Sequence, residues 1–295
     1  MLEEFKNAFQ RHNNAHIQLI IINVVVFAVL GIIYVFSTAS EYVSVFESVY
    51  RQFSMPPGIT EFLSRPWTLL TYSFAHSIPS ITHILFNMLA LYWFGKLFID
   101  YLGSDKLIAI YVLGAVAGGI VYLLMFNTIP FFINNAPGLG MVGASASVFA
   151  IMVATATLLP DYTFNLIFLG PVRIKYIVAI YIVISFLGSV GPNAGGNLAH
   201  LGGALMGFIY TKQLQAGVNW GGWITAVIYC VKGLFNPRQN VKVTYRKEEK
   251  TTAKPKSNSK SSQDEIDHIL DKISEKGYES LSKDEKEKLF NASKR

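Results

Sequence analysis

The sequence predicts an all-α, polytopic membrane protein with six spanning helices, and three observations carry that prediction. The 295 residues are 52% hydrophobic and only 15% charged, well under the roughly 25% usual for soluble domains. Six apolar segments follow one another, separated by charges, prolines and glycines. The Lys and Arg residues of the short loops fall on alternate sides of those segments, as they do when a chain crosses a bilayer repeatedly.

Residues 1–16 form a polar segment of mixed charge. Residues 17–36 are nearly continuous in apolar side chains, with Gln18 and Asn23 the only strongly polar ones, which suits a first spanning helix rather than the short core of a cleaved signal. The stretch 37–80 is too aromatic for a linker, with Tyr42, Phe46, Tyr50, Phe53 and Trp67 among its charges and prolines. It is expected to fold on itself and sink partly into the membrane interface. Further spans are expected over 81–99, 106–126, 142–159, 174–190 and 197–213. Pro130, Pro137 and Gly138 break the connection before the fourth, Pro160 ends it, and Gly188, Gly191 and Pro192 end the fifth.

Six spans put both termini on one side of the membrane. With that side inside, the inner segments carry Lys6, Arg11, Lys96, Lys106, Arg173, Lys175 and Lys212, and the outer loops only Arg51 and Arg65. This is the positive-inside pattern, so both termini are expected in the cytoplasm. Up to Lys212 there are 9 Lys and Arg against 8 Asp and Glu, and beyond it 16 against 11. The excess of the net +6 charge therefore sits in the tail, where it suits anionic lipid better than nucleic acid. Residues 214–245, with Trp220 and Trp223, read as an interfacial segment too short and glycine-rich to cross alone. Residues 246–263 read as a flexible linker rich in Lys, Ser and Thr. Residues 264–295 read as a small helical extension in which Ile266, Ile269, Leu270 and Ile273 recur at helical spacing and Ser282 to Glu285 fit a capping box. The extension is either a docking element for an unknown cytoplasmic partner or a solvated helical hairpin. The lone cysteine, Cys230, rules out an intrachain disulfide.

The fourth span opens on Gly143-Ala-Ser145-Ala-Ser147-Val-Phe149. Such a run is either a seam of close helix packing or the setting of a nucleophile. Two histidines inside the spans bear on the choice, because ionisable groups at membrane depth are costly and usually functional. His83 lies near the start of the second span and His200 near the start of the sixth. The second, fourth and sixth spans all start on the outer side, so His83, Ser145 and His200 arrive at one depth. Asn87 lies one turn after His83 on the same face. Gly203 and Gly207 line the face of the sixth span that carries His200, and would let it approach the fourth closely enough for Ser145 and a His200 ring nitrogen to stand about 2.6–3.2 Å apart. Ser147, about 200° around the helix from Ser145, cannot face the same partner. Neither histidine has a cysteine or carboxylate at metal-ligand spacing, and no cofactor is expected.

The series His83-Ile-Leu-Phe-Asn87, Gly143-Ala-Ser145 and Ala199-His200-Leu-Gly-Gly203-Ala-Leu-Met-Gly207, in that order on those spans, resembles the signatures of the rhomboid intramembrane serine proteases. The resemblance covers roughly residues 60–213 and is to the bacterial type with a six-helix core. It implies Ser145 as nucleophile, His200 as general base, and oxyanion stabilisation by Asn87, His83 and the Ser145 backbone N–H. It also implies that Phe149, where tyrosine is commoner, packs on the catalytic imidazole. Ala146 stands where the family usually has glycine, and Thr68 follows Trp67 where arginine is common. By the same resemblance the substrates are transmembrane proteins, the location a bacterial inner membrane, and the fifth span with the cap Gly188 to Gly196 a moving part. Two other readings compete. One is an inactive rhomboid-like protein that binds membrane proteins without cutting them; the other is a transporter, which would need a polar path through the inner halves of the spans.

Overall fold

The computed structural model describes residues 13–166, 170–235 and 260–292. Residues 1–12 of the polar N-terminal segment, 236–245 of the expected interfacial segment and 246–259 of the expected linker lie outside them. The chain divides into two compact units, Met1–Arg238 and Gln239–Arg295.

In the first unit the unbroken apolar run forms α1 (Ala15–Ala39), with Val29, Ile32, Val35 and Phe36 exposed on its outer face as a lipid-facing surface requires. The aromatic stretch that follows does fold on itself, into α2 (Val43–Tyr50), α3 (Ile59–Ser64), α4 (Thr68–Thr71) and a 3₁₀ turn at Tyr72–Phe74. Phe46 and Tyr50 are buried there. Thr68 is fully buried, its hydroxyl donating to the Arg65 carbonyl at 2.6 Å. Next come α5 (Ile81–Leu102) and α6 (Ser104–Thr128), joined through Gly103, then the short α7 (Pro130–Asn134). Among the described residues α1, α5 and α6 are each long and apolar enough to cross a membrane by length and composition.

The fourth span is shorter than the expected 142–159, while the fifth, with the 3₁₀ turn that follows it, runs Ile174–Val190 as expected. α8 (Ser145–Leu158) and α9 (Ile174–Leu187) have 14 residues each, about 21 Å of helix against a hydrocarbon core of about 30 Å. A 3₁₀ turn at Gly188–Val190 extends α9. α8 need not match the lipid because protein surrounds it: Ala146 through Ala156 are all buried. Between the two lies a feature absent from the all-α expectation, an antiparallel hairpin of β1 (Thr163–Leu166) and β2 (Gly170–Arg173) pairing Thr163 with Arg173 and Leu166 with Gly170. Its residues alternate between exposed and half-buried, and Phe164 packs on Phe94 of α5 with ring centroids 5.2 Å apart. Asp161 pairs with Lys175 in the first turn of α9 at 2.7 Å and with Arg173 at the end of β2 at 3.2 Å. The Lys175 hydrogen bond holds its carboxyl below the usual range. α10 (Ala194–Gln215) is the sixth span and α11 (Gly222–Phe235) the 14-residue helix after it.

The core of this unit is a three-helix seam built from small residues. A Cβ added at Gly203 would lie 2.0 Å from the Ala146 carbonyl oxygen, and one at Gly207 2.2 Å from that of Ala150. A Cβ at Gly118 of α6 would come within 2.6 Å of the Ala146 methyl and 2.9 Å of the Ala199 carbonyl oxygen of α10, and one at Gly114 within 2.5 Å of the Ala150 methyl. α8, α10 running parallel to it and α6 running antiparallel thus pack on one another pairwise, Gly202 of α10 lying against the Ala117 carbonyl of α6. The Ala146 methyl occupies room that Gly118 leaves, which explains how alanine is accommodated where the family usually has glycine.

In the second unit α12 (Lys260–Lys276) and α13 (Lys283–Ala292) are joined through Gly277, whose φ of +77 suits glycine. Ile269 and Leu281 are buried between them. The capping box forms: the Ser282 N–H donates to Glu285 at 2.7 Å, and the Glu285 N–H donates to the Ser282 hydroxyl at 3.3 Å. Lys272 bonds both Glu285 carboxylate oxygens at 2.9 Å, and this with the Ser282 N–H depresses the Glu285 pKa to about 2.

Two outcomes are expected. Gly203→Ala drives a methyl into backbone and should cost about 1–3 kcal/mol, read as a lower unfolding temperature in detergent. Gly31→Ala on α1, where nothing lies within 4 Å, should be neutral or stabilising by up to about 1 kcal/mol. A depressed carboxylate pKa contributes stability that is present above the unfolded value and lost as pH falls through the folded one. Amide protection factors at the start of α13, measured in the full chain, should therefore decline between pH 4.5 and about 2, and Glu285→Gln should abolish that decline.

Candidate functional site

Three helix starts converge on one cavity of about 640 Å³ whose lining includes His83, Asn87, Ser145, Phe149 and His200. His83 and Asn87 lie one turn apart in the first two turns of α5, Ser145 is the first residue of α8, and His200 sits in the second turn of α10. His83, Asn87, Ser145 and His200, placed at one depth by their spacing, line this cavity together, and Phe149, which the resemblance sets on the imidazole, lines it with them.

The approach to Ser145 is fixed by the folded 37–80 stretch. Met55 and Met141 form a two-bond antiparallel bridge, with N···O distances of 2.8 and 2.9 Å, and the Gly143 N–H donates to the Tyr72 carbonyl at 3.0 Å. Tyr72 is itself anchored by its hydroxyl to the Ala115 carbonyl on α6 at 2.7 Å. Gly143 then turns the chain into the helix with φ +141, a conformation that side chains rarely adopt. A Cβ there would meet the His83 ring at 3.0 Å and the Ser145 hydroxyl at 3.3 Å, so His83 and Ser145 rest against the same bare backbone. As the first helical residue, Ser145 has an N–H with no carbonyl four residues back to receive it, in a place where a helix start favours negative charge.

Asn87 donates one amide N–H to the His83 carbonyl at 2.9 Å. A carboxamide has two, so the bond pins the side chain to its own helix and leaves the second N–H for the cavity. Ser147 is spent elsewhere: it is fully buried, its hydroxyl donating to the Tyr111 carbonyl at 2.7 Å. His200 is held on two sides. Phe149 stacks on it with centroids 4.2 Å apart and planes 12° apart, and its Nδ1 lies 3.1 Å from the Ser185 hydroxyl on α9. The expected close Ser145–His200 contact is not formed: among the described residues no hydrogen bond joins them. Both line the cavity, and catalytic hydrogen bonds are often long in free enzymes and tighten with substrate bound.

Sequence reasoning missed three features here. Ser185 is the only serine on α9, but nothing in the sequence aims it at His200. His76, within the 37–80 stretch, is fully buried and edge-on to His83 at 5.2 Å. The hairpin adds Phe164, Asn165 and Leu166 to the cavity wall. A second cavity of about 930 Å³, running under the residues 190–196, shares His83, Ser80 and Asn193 with the first. Among the described residues no group of three or more His, Cys, Asp or Glu is arranged to hold a metal ion.

The Rhomboid domain family matches residues 63–216, more than half of the chain and every residue named in the cavity. The chain belongs to the rhomboid family. It is 32% identical over 161 residues to RHOMBOID-like protein 12, mitochondrial, of Arabidopsis thaliana, covering 51% of this chain and 47% of that one. It is 29% identical over 181 residues to Rhomboid protein 1, mitochondrial, of Saccharomyces cerevisiae, covering 54% and 49%. With Presenilin-associated rhomboid-like protein A, mitochondrial, of Danio rerio the identity is 30% over 146 residues, covering 47% and 35%. This rhomboid thus spans half or less of the length of the curated relatives it matches. Residues 254–295 match a family of unknown function, DUF6576.

Because Gly143 bears both on His83 and on the Ser145 hydroxyl, Gly143→Ala should displace the two by enough to slow labelling of Ser145 by a serine-directed phosphonate roughly 10²-fold. An unchanged unfolding temperature would show that the loss is local.

Proposed function

We propose that this rhomboid is an intramembrane serine endopeptidase that cleaves transmembrane segments of other membrane proteins near the outer face of the membrane. The observation that carries the reading is the sharing of one cavity by Ser145, at a bare helix start, with an imidazole clamped by Phe149. His200 takes the proton of the Ser145 hydroxyl as Oγ bonds to the substrate carbonyl carbon, and the carbonyl electron pair moves onto oxygen. The second N–H of Asn87, His83 and the Ser145 N–H receive that oxyanion. As the oxyanion collapses the C–N bond breaks, and His200 returns the proton to the leaving amine. Water, activated by His200 in turn, releases the acyl group as a carboxylic acid. The larger cavity that meets the first at His83 is the route for that water. Substrates are expected to carry helix-weakening residues near the cut, since a helical amide is hydrogen-bonded and shielded.

The loop lysines and arginines support an orientation with both termini in the cytoplasm and the cavity on the outer side. The names of the relatives place those proteins in mitochondria, so the expectation of a bacterial inner membrane draws no support from them. The extension 264–295 is either a docking element for an unknown cytoplasmic partner or a solvated helical hairpin.

The test is cleavage of a panel of single-span proteins by purified protein in liposomes. Cleavage should survive Ser147→Ala, vanish with Ser145→Ala and His200→Ala, and fall by about 10²–10³ with Asn87→Ala. A folded wild-type protein that cuts nothing and is not labelled at Ser145 by a phosphonate would instead be a binder of membrane proteins.

A further inference from the structure

Ser185 does something unusual for a serine inside a helix. Such residues ordinarily return the hydroxyl to a carbonyl three or four residues back, as Thr155 and Thr157 of α8 do at 2.7 Å. Ser185, 2% exposed, instead sets its oxygen 3.1 Å from His200 Nδ1. It sits on a different helix from the histidine, on an otherwise apolar turn next to Ile184 and Phe186. The consequence for the histidine is specific. A neutral imidazole carries one N–H, and the nitrogen that lacks it is the one able to take a proton. Phe149 fixes the plane of the ring, but stacking does not distinguish the two nitrogens or oppose a flip of the ring within that plane. Only a hydrogen-bonding partner on one edge does both.

We propose that Ser185 is a positioning residue for the base: its Oγ accepts the Nδ1–H of His200, which keeps the Nε2 lone pair free for the Ser145 proton. The inference rests on the proteolytic reading of the site. When His200 takes the Ser145 proton at Nε2, the Nδ1–H bond to Ser185 persists and the ring cannot turn away before the proton is passed to the leaving amine. A serine oxygen is neutral, so Ser185 orients the ring without supplying the opposite charge that a carboxylate would offer the imidazolium. Removing the hydroxyl leaves a buried Nδ1–H without an acceptor, which is unfavourable, and the proton shifts to Nε2, where it blocks the base. Threonine at the same position retains the Oγ.

The experiment compares wild-type protein, Ser185→Ala, Ser185→Thr and Ser147→Ala in liposomes, the last removing another buried hydroxyl of the same core. Two readouts are used: cleavage of a single-span substrate with kcat and KM separated, and ¹⁵N shifts of labelled histidine, with His200 assigned through His200→Gln. Ser185→Ala is expected to lower kcat at least tenfold with KM unchanged, Ser185→Thr to recover most of it, and Ser147→Ala to leave it unaltered. The ¹⁵N shifts of His200 should report a protonated Nδ1 and bare Nε2 in wild type, and the reverse in Ser185→Ala. Wild-type His200 with its proton on Nε2, or a Ser185→Ala protein whose kcat is unchanged, overturns the proposal. A wild-type protein that neither cleaves nor reacts with the phosphonate overturns the proteolytic reading, and in that case the tautomer comparison alone decides whether Ser185 holds His200.

Discussion

The contact on which the molecule depends is the approach of α10 and α6 to α8 with almost no side chain between them. Gly203 and Gly207 lie directly against the carbonyls of Ala146 and Ala150, while Gly118 and Gly114 of α6 receive the methyls of the same two alanines. In lipid there is no hydrophobic gain in bringing two apolar helices together, so the attraction must come from dispersion between closely matched surfaces. The same seam sets the chemistry. Ser145 is one residue before Ala146, and His200 is one turn before Gly203, so the contact that clasps the helices also fixes the distance between hydroxyl and imidazole. Stability and function are not separable at this seam: a substitution that opens the packing moves the two groups apart.

A second constraint follows from the length of α8. A nucleophile at the start of a full-length span would lie near the membrane surface, exposed to bulk water and away from a buried peptide bond. With 14 residues, Ala146 through Ala156 of them buried, α8 is about 9 Å shorter than a lipid-matched helix, which allows its first residue to lie below the membrane surface. The chain before it must then descend into the protein, where unpaired backbone is costly. The aromatic 37–80 stretch meets that cost. Met55 pairs with Met141, and Tyr72 accepts from Gly143 while gripping α6 through its hydroxyl. What reads in sequence as an over-apolar loop is the scaffold that lets irregular backbone reach the site.

These features also divide what the sequence discloses from what it conceals. The spans are legible because lipid demands a long apolar run for each, and the cavity residues because intramembrane His and Asn are rare enough to stand out. Gly203 and Gly207 are legible as a periodic seam. The hairpin is not: Thr163 to Arg173 is too short and too mixed for a period-2 signal to rise above a loop, and it exists because Phe164 finds Phe94 on α5. His76 and Ser185 escape for a different reason. Each is ordinary in its local sequence, and its importance lies in a partner on another element, His83 for one and His200 for the other. Ser147 is the converse case, conspicuous in sequence yet committed to the Tyr111 carbonyl.

The surroundings of His200 show why non-local partners carry so much weight here. In water an imidazole samples both tautomers and all ring orientations; if His200 is the base we propose, it must be restricted to one. A carboxylate would impose that restriction strongly, but an uncompensated charge at membrane depth costs several kcal/mol. The site instead combines two neutral restraints, the face of Phe149 and the oxygen of Ser185, drawn from two different helices. Each is weak in isolation, and on the proposed reading the two together leave the ring one orientation. A neutral clamp of this kind is cheap to bury, and it is the arrangement expected when the medium penalises charge more than the chemistry rewards it.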